Sequence, residues 1–182
     1  MHHLTATDIA RSALFTALIA GGAFVAVPLG PVPFTLQVFA VLLAGMALGP
    51  RLGMLSVVAY LVLGLIAPVY AGGASGIGTL LGPTGGYLFG FILAALVAGR
   101  VVRGGPPTAL RFVSAGLIGL LPIYVIGATW LAAQLELSVG AAVSLGVLPF
   151  IAMDVVKALL AAAVARSLVS SPLGLLAPQR DR

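Results

Sequence analysis

The segment LPFIAMDVVKALLA, residues 148–161, is apolar except for Asp154 and Lys157, and it decides how the rest of the chain is read. A spacing of three puts the two on one helix face, and Phe150, four residues before the aspartate, shares that face. A carboxylate and an ammonium in hydrocarbon are costly unless they pair or face a polar cavity, so an intramembrane pair marks a functional site. Every other Asp, Glu, Lys or Arg falls at the end of an apolar segment or in a connection.

Composition makes hydrocarbon the right setting. The 182 residues are 61% hydrophobic and 7% charged, with a mean hydropathy of +1.22, far more apolar than a soluble domain. The chain is therefore expected to be an all-α integral membrane protein. At about 20 residues per span it has room for roughly six transmembrane helices in one domain, residues 1–182. The formal net charge of +5 comes from arginines at segment ends, which reads as membrane topology and not as a nucleic-acid surface. Cysteine is absent, which excludes disulfides, thiolate metal sites and a cysteine nucleophile. The first apolar segment lacks the short core and cleavage site of a secretory signal and is expected to be retained as a span.

Taken in order, the spans are expected near residues 9–27, 34–48, 53–67, 86–98, 112–133 and 141–168. The first opens behind Thr7 and Asp8, either of which can cap a helix. Within it Ala13, Ala17 and Gly21 recur every four residues, a small-residue stripe that allows close approach of another helix. Pro28, Pro31 and Pro33 make the next connection stiff. Thr35 and Gln37 follow at the start of the second span, where they can cap the helix or face a ligand.

After Pro68 comes AGGASGIGTLLGPTGGY, residues 71–87, with seven glycines and flanking tyrosines Tyr70 and Tyr87. Gly73, Gly85 and Gly86 there permit close backbone approach to a ligand; a flexible loop is the plainer reading. No phosphate-binding Gly-Lys pair occurs. Trp130 suits an interfacial belt. Ser144, Gly146 and Pro149 predict a bend or non-helical lead just ahead of Asp154.

Six spans place both termini on one side. Arg11, Arg51, Arg100, Arg103, Arg111, Arg166, Arg180 and Arg182 share it, while the three opposite connections hold no Lys or Arg. The positive-inside rule makes that side cytoplasmic. Asp154 lies 12 residues before Arg166, about 18 Å along a helix, in the outer half of a hydrocarbon layer of about 30 Å. The pair thus opens toward the proline connection and the glycine loop, which together can lid a pocket.

Such a pocket suits a small zwitterionic or bifunctional solute, with Lys157 receiving an anion and Asp154 accepting N–H donors. An internal salt bridge without a ligand is the plainer alternative. Intramembrane proteolysis lacks its base, because His2 and His3 precede the first span. Two embedded ionisable groups are too few for a zinc site. A stand-alone proton-coupled carrier and a Schiff base on Lys157 both remain open.

Four motifs then carry a resemblance: VPFTLQ at 32–37, LGPRLG at 48–53, GPTGGYLFGF at 82–91, and LPF followed by Asp154 and Lys157. Together they resemble BioY, the biotin-specific S component of energy-coupling-factor (ECF) vitamin transporters, over about residues 9–168. The resemblance implies a six-helix S-component bundle that captures biotin outside the cell membrane of a prokaryote. It implies no enzyme activity and no cofactor of its own, ATP being hydrolysed by partner subunits. It further implies that Ala13 and Ala17 match the first-helix alanine motif that docks on a transmembrane coupling subunit, with Gly21 continuing the stripe. By the same resemblance Asp154 and Lys157 match the family's Asp-x-x-Lys. Thr35, Gln37, Gly85, Gly86 and Tyr87 lie within the matching motifs, and Tyr70 and Gly73 in the glycine loop leading into GPTGGYLFGF, as further substrate contacts. Biotin has chemistry to suit: a carboxylate for a cation, and a ureido ring with N–H donors and a carbonyl. An S component for another vitamin is the nearest alternative. Membrane lipid surrounds the bundle on this reading, and self-association into a homo-oligomer is left open.

Overall fold

The computed structural model describes residues 4–171; His2, His3, Arg180, Asp181 and Arg182 lie outside that range. Helix α1 (Ala6–Phe24) starts one turn earlier than the sequence predicts. Thr5 is the cap, and Asp8 is its reciprocal partner: the Asp8 N–H donates to the Thr5 hydroxyl and the Asp8 carboxylate accepts from the Thr5 N–H. Two otherwise orphaned donors are satisfied at once, which outweighs a cap at Thr7 or Asp8. The stiff proline connection is a small antiparallel hairpin of β1 (Ala26–Pro28) and β2 (Pro33–Thr35), with Val27 opposite Phe34.

Strand β2 delays the second span, so α2 runs only over Gln37–Leu48. Its 12 residues make about 18 Å of helix, short of the usual spanning length. All of them except Phe39 are buried, as expected for a helix that is apolar all round. Gly49, at φ +85°, turns the chain directly into α3 (Pro50–Ile66), where Pro50 takes the first helical position; its missing N–H has no intrahelical partner there in any case.

The glycine stretch is largely ordered by helical turns. A 3₁₀ turn at Ala71–Gly73 precedes the short α4 (Ile77–Leu81), and the Gly76 N–H donates to the Gly64 carbonyl of α3 at 2.8 Å. Next come α5 (Gly85–Arg103) and α6 (Ala109–Gln134), which form the most extensive helix contact. The expected sixth span is two helices, α7 (Val139–Gly146) and α8 (Leu148–Ser170), broken at Val147. Pro149 cannot donate to α7 but is tolerated in the first turn of α8. The break lies seven residues before the first member of the charged pair.

Small residues bring the helices close. A Cβ on Gly45 of α2 would strike the Ala95 backbone of α5, and one on Gly90 of α5 would stand 2.8 Å from Ile123 Cα of α6. Helix α1 joins α3 through Thr16, whose hydroxyl lies 2.9 Å from both the Ser12 and Ser56 carbonyls. The stripe Ala13, Ala17 and Gly21 faces outward, away from these contacts. At one end of the bundle Arg103 donates to the last carbonyl of α2, Leu48 O, and Arg111 to Val101 O of α5, cations at helix C-termini. Among the described residues, the helix that begins at Pro50, together with α5, α6 and α8, is long and apolar enough to cross a membrane.

Candidate functional site

At the opposite end lies a cavity of about 170 Å³ walled by β2 and the starts of α2 and α5, by α6, and by α8. Asp154 and Lys157 line it and are only 4% and 5% exposed. Their ion pair closes across one helical turn, with Lys157 Nζ 2.7 Å from Asp154 Oδ1. The pair is thus internally satisfied and also part of the cavity wall.

Each partner is held again from another element. Lys157 Nζ donates to the Thr35 carbonyl at 2.6 Å and sits 3.6 Å from the centre of the Phe34 ring. A desolvated ammonium gains from the π face as well as from its acceptors. Asp154 Oδ2 accepts from the Tyr124 hydroxyl of α6 at 2.7 Å. This constellation joins β2, α6 and α8, and its two formal charges cancel.

Leu36, and not Thr35 or Gln37, takes the cap position of α2, but Thr35 still supports the helix start. The Gln37 N–H donates to Thr35 Oγ1 at 3.3 Å, which braces the start of α2. Thr35 Oγ1 donates to Gln37 Oε1, and Gln37 Nε2 donates to the Tyr60 hydroxyl at 2.6 Å. Both side chains line the cavity. So do Tyr70 and Tyr87, whose hydroxyls donate to Leu61 O at 2.6 Å and Gly146 O at 2.9 Å. The hydroxyl protons of both tyrosines are therefore committed within the protein.

Gly73, Gly85 and Gly86 do not line the cavity. Gly85 leaves room for the Leu80 carbonyl, and Gly86 for Trp130 and the Ile126 carbonyl, so these two glycines seat α5 against its neighbours. Gly73 is exposed in a left-handed turn at φ +78°. Trp130 packs edge-on against Phe89 and donates to Gly82 O at 2.9 Å, securing the glycine stretch from inside. Tyr124, Tyr60 and Phe34 are the participants that sequence reasoning missed. The available signal was weak: a buried tyrosine hydroxyl needs a partner, but the partner's helix face is not written in the sequence.

A mostly apolar wall with a few convergent polar groups is the usual character of a small-molecule pocket. Asp154 retains unused lone pairs on both oxygens, because each accepts one bond and can accept another. Lys157 directs two N–H groups to acceptors and stands against an aromatic ring. The arrangement favours a ligand head that donates N–H groups and is otherwise uncharged, with an apolar body against Phe91, Ile123 and Phe150.

Comparison with known proteins agrees in sequence and architecture. The BioY family profile matches residues 1–172. A probable biotin transporter BioY of Pyrococcus horikoshii is 47% identical over 166 residues, covering 91% of this chain and 98% of that protein. The biotin transporter BioY of Thermotoga maritima is 42% identical over 159 residues, covering 87% and 93%. The crystal structure of the S-component for biotin from an ECF-type ABC transporter superposes with a TM-score of 0.83 at 32% identity, over 90% of this chain and 91% of that one. With the profile match running from α1 through α8 and the S-component architecture shared, the chain belongs to the BioY family.

Proposed function

We propose that the chain is the substrate-binding membrane subunit that captures biotin from outside the cell for ECF-type, ATP-driven uptake. The observation that carries this reading is the buried Asp154–Lys157 pair, held on the cavity wall by Tyr124 and Thr35 in a family whose named relatives are biotin transporters. The ureido N–H groups of biotin match the spare lone pairs of Asp154, and its fused rings match the apolar wall.

In the membrane, α1, α2, α3, α5, α6 and α8 make six passes, with both termini cytoplasmic. Arg11, Arg51, Arg100, Arg103, Arg111 and Arg166 support this orientation, lying at the helix ends away from the cavity, while its own connections carry no Lys or Arg. The setting is the plasma membrane of a prokaryote. The outward stripe of Ala13, Ala17 and Gly21 docks on a transmembrane coupling subunit, and separate ATPase subunits supply the energy, so the chain needs no cofactor of its own.

Calorimetric titration of biotin into the detergent-purified chain tests the reading. Tight binding by the wild type is expected, with a loss of at least about 100-fold in Lys157→Ala, because removing one partner strands a buried carboxylate. Undiminished affinity in an Asp154→Ala, Lys157→Ala double variant would refute the site. No binding by a folded wild type would refute biotin as the ligand.

A further inference from the structure

Tyr124 is the third polar group of the constellation, and neither the motifs nor the comparisons give it a role. We infer that Tyr124 is a positioning residue for ligand capture: it fixes the Asp154 carboxylate so that the remaining lone pairs of Asp154 face the ligand's N–H donors. This rests on the proposed capture of biotin.

Three observations support the assignment. Lys157 and Tyr124 take different oxygens of Asp154, each at 2.7 Å. With both oxygens held from different directions, rotation about the Asp154 side chain would break one of two charge-assisted bonds. The ligand therefore meets a carboxylate already oriented, and less ordering is needed on binding.

The fold also places Tyr124 with care. Pro122, two residues earlier, cannot donate within α6, and Gly90 admits the α6 backbone at Pro122 and Ile123 to within about 3 Å of where a Cβ would stand. That close approach presses α5 on α6, while Gly116 of α6, where an added Cβ would stand 2.9 Å from Ala158 O, brings the same helix close to α8. Tyr124 itself lines the cavity and is half-buried. Its oxygen, while its hydroxyl donates a hydrogen bond to Asp154, keeps lone pairs of its own.

The test compares wild type, Tyr124→Phe and Asp154→Asn by biotin calorimetry and by infrared difference spectra between biotin-bound and biotin-free protein. Tyr124→Phe keeps the ring and removes only the hydroxyl. Its affinity for biotin should fall about ten- to a hundredfold, the worth of one hydrogen bond to a charged group. The carboxylate band identified by its loss in Asp154→Asn should shift in Tyr124→Phe. Unchanged affinity overturns the assignment. A loss of affinity with an unmoved carboxylate band overturns it too, since the hydroxyl would then act on packing and not through Asp154. Absence of binding by folded wild type overturns the biotin reading, an outcome distinct from a wild type that binds and a Tyr124→Phe variant that binds equally well.

Discussion

At the scale of single residues, the site is a chain of obligations. Lys157 is anchored on the Thr35 carbonyl, Thr35 is braced by Gln37, and Gln37 donates to Tyr60. Tyr60 is fully buried and makes no wall of the cavity, yet it holds the far end of this chain. Tyr60→Phe leaves a buried amide donor of Gln37 unpaired, a cost of about 1–3 kcal/mol. At roughly 2–4 °C per kcal/mol for a chain of this size, the detergent melting temperature should fall by roughly 2–12 °C. Biotin affinity should weaken with it as the Thr35 carbonyl loosens. A melting curve that coincides with wild type would remove Tyr60 from the chain. Asp154 and Lys157 were legible in the sequence because ionisable groups in an apolar run need a reason to be there. Tyr124 was not, because a tyrosine within an apolar helix reads equally well as an interfacial aromatic until the facing helix is known.

At the scale of elements, long apolar runs were legible and their interruptions less so. Helices α5 and α6 contain the predicted spans and extend beyond them, while α3 starts three residues before its predicted span and stops one residue short of its end, at Ile66. The second and sixth runs differ for local reasons: hairpin pairing through Thr35 shortens α2, and the donor missing at Pro149 separates α7 from α8. The glycine stretch illustrates a second limit. Glycine in a sequence does not say whether it admits a ligand or a neighbouring helix, and Gly85 and Gly86 admit protein. The crossing of α2 and α5 at Gly45 follows the same logic. Gly45→Val would drive a branched side chain into the Ala95 backbone, an overpacking cost of about 1–3 kcal/mol or more. The expected result is a marked loss of monodisperse protein on gel filtration; normal yield and melting would show that the crossing can relax. On the outer face of α1, Ala13→Trp or Ala17→Trp should weaken co-purification with a coupling subunit while leaving biotin affinity within about twofold, because neither residue touches the cavity wall. Intact assembly would count against docking through that stripe.

For the whole molecule, polarity runs from end to end. Arginines bind helix carbonyls at one end, at Leu48 and Val101, and the cavity opens among loops without Lys or Arg at the other. The absence of cysteine makes the orientation directly measurable. Ser75 and Pro107 are both exposed, on opposite sides of the proposed membrane. In intact cells Ser75→Cys should react with an impermeant maleimide, while Pro107→Cys should react only after permeabilisation. The reverse pattern would invert the topology.

The pairing of Asp154 with Lys157 also has an electrical consequence. A single elementary charge moved across the whole membrane exchanges about 2.3 kcal/mol per 100 mV with the transmembrane voltage. The two embedded charges, 2.7 Å apart, form a compact dipole of zero net charge, on which a uniform field exerts no net force. Translating the binding end within the bilayer therefore exchanges no energy with the membrane potential through this pair, and reorienting it exchanges only the small part set by a 2.7 Å separation against a hydrocarbon layer of about 30 Å. A steep voltage dependence of uptake would then point to charge moved elsewhere, on the cargo or on partner subunits.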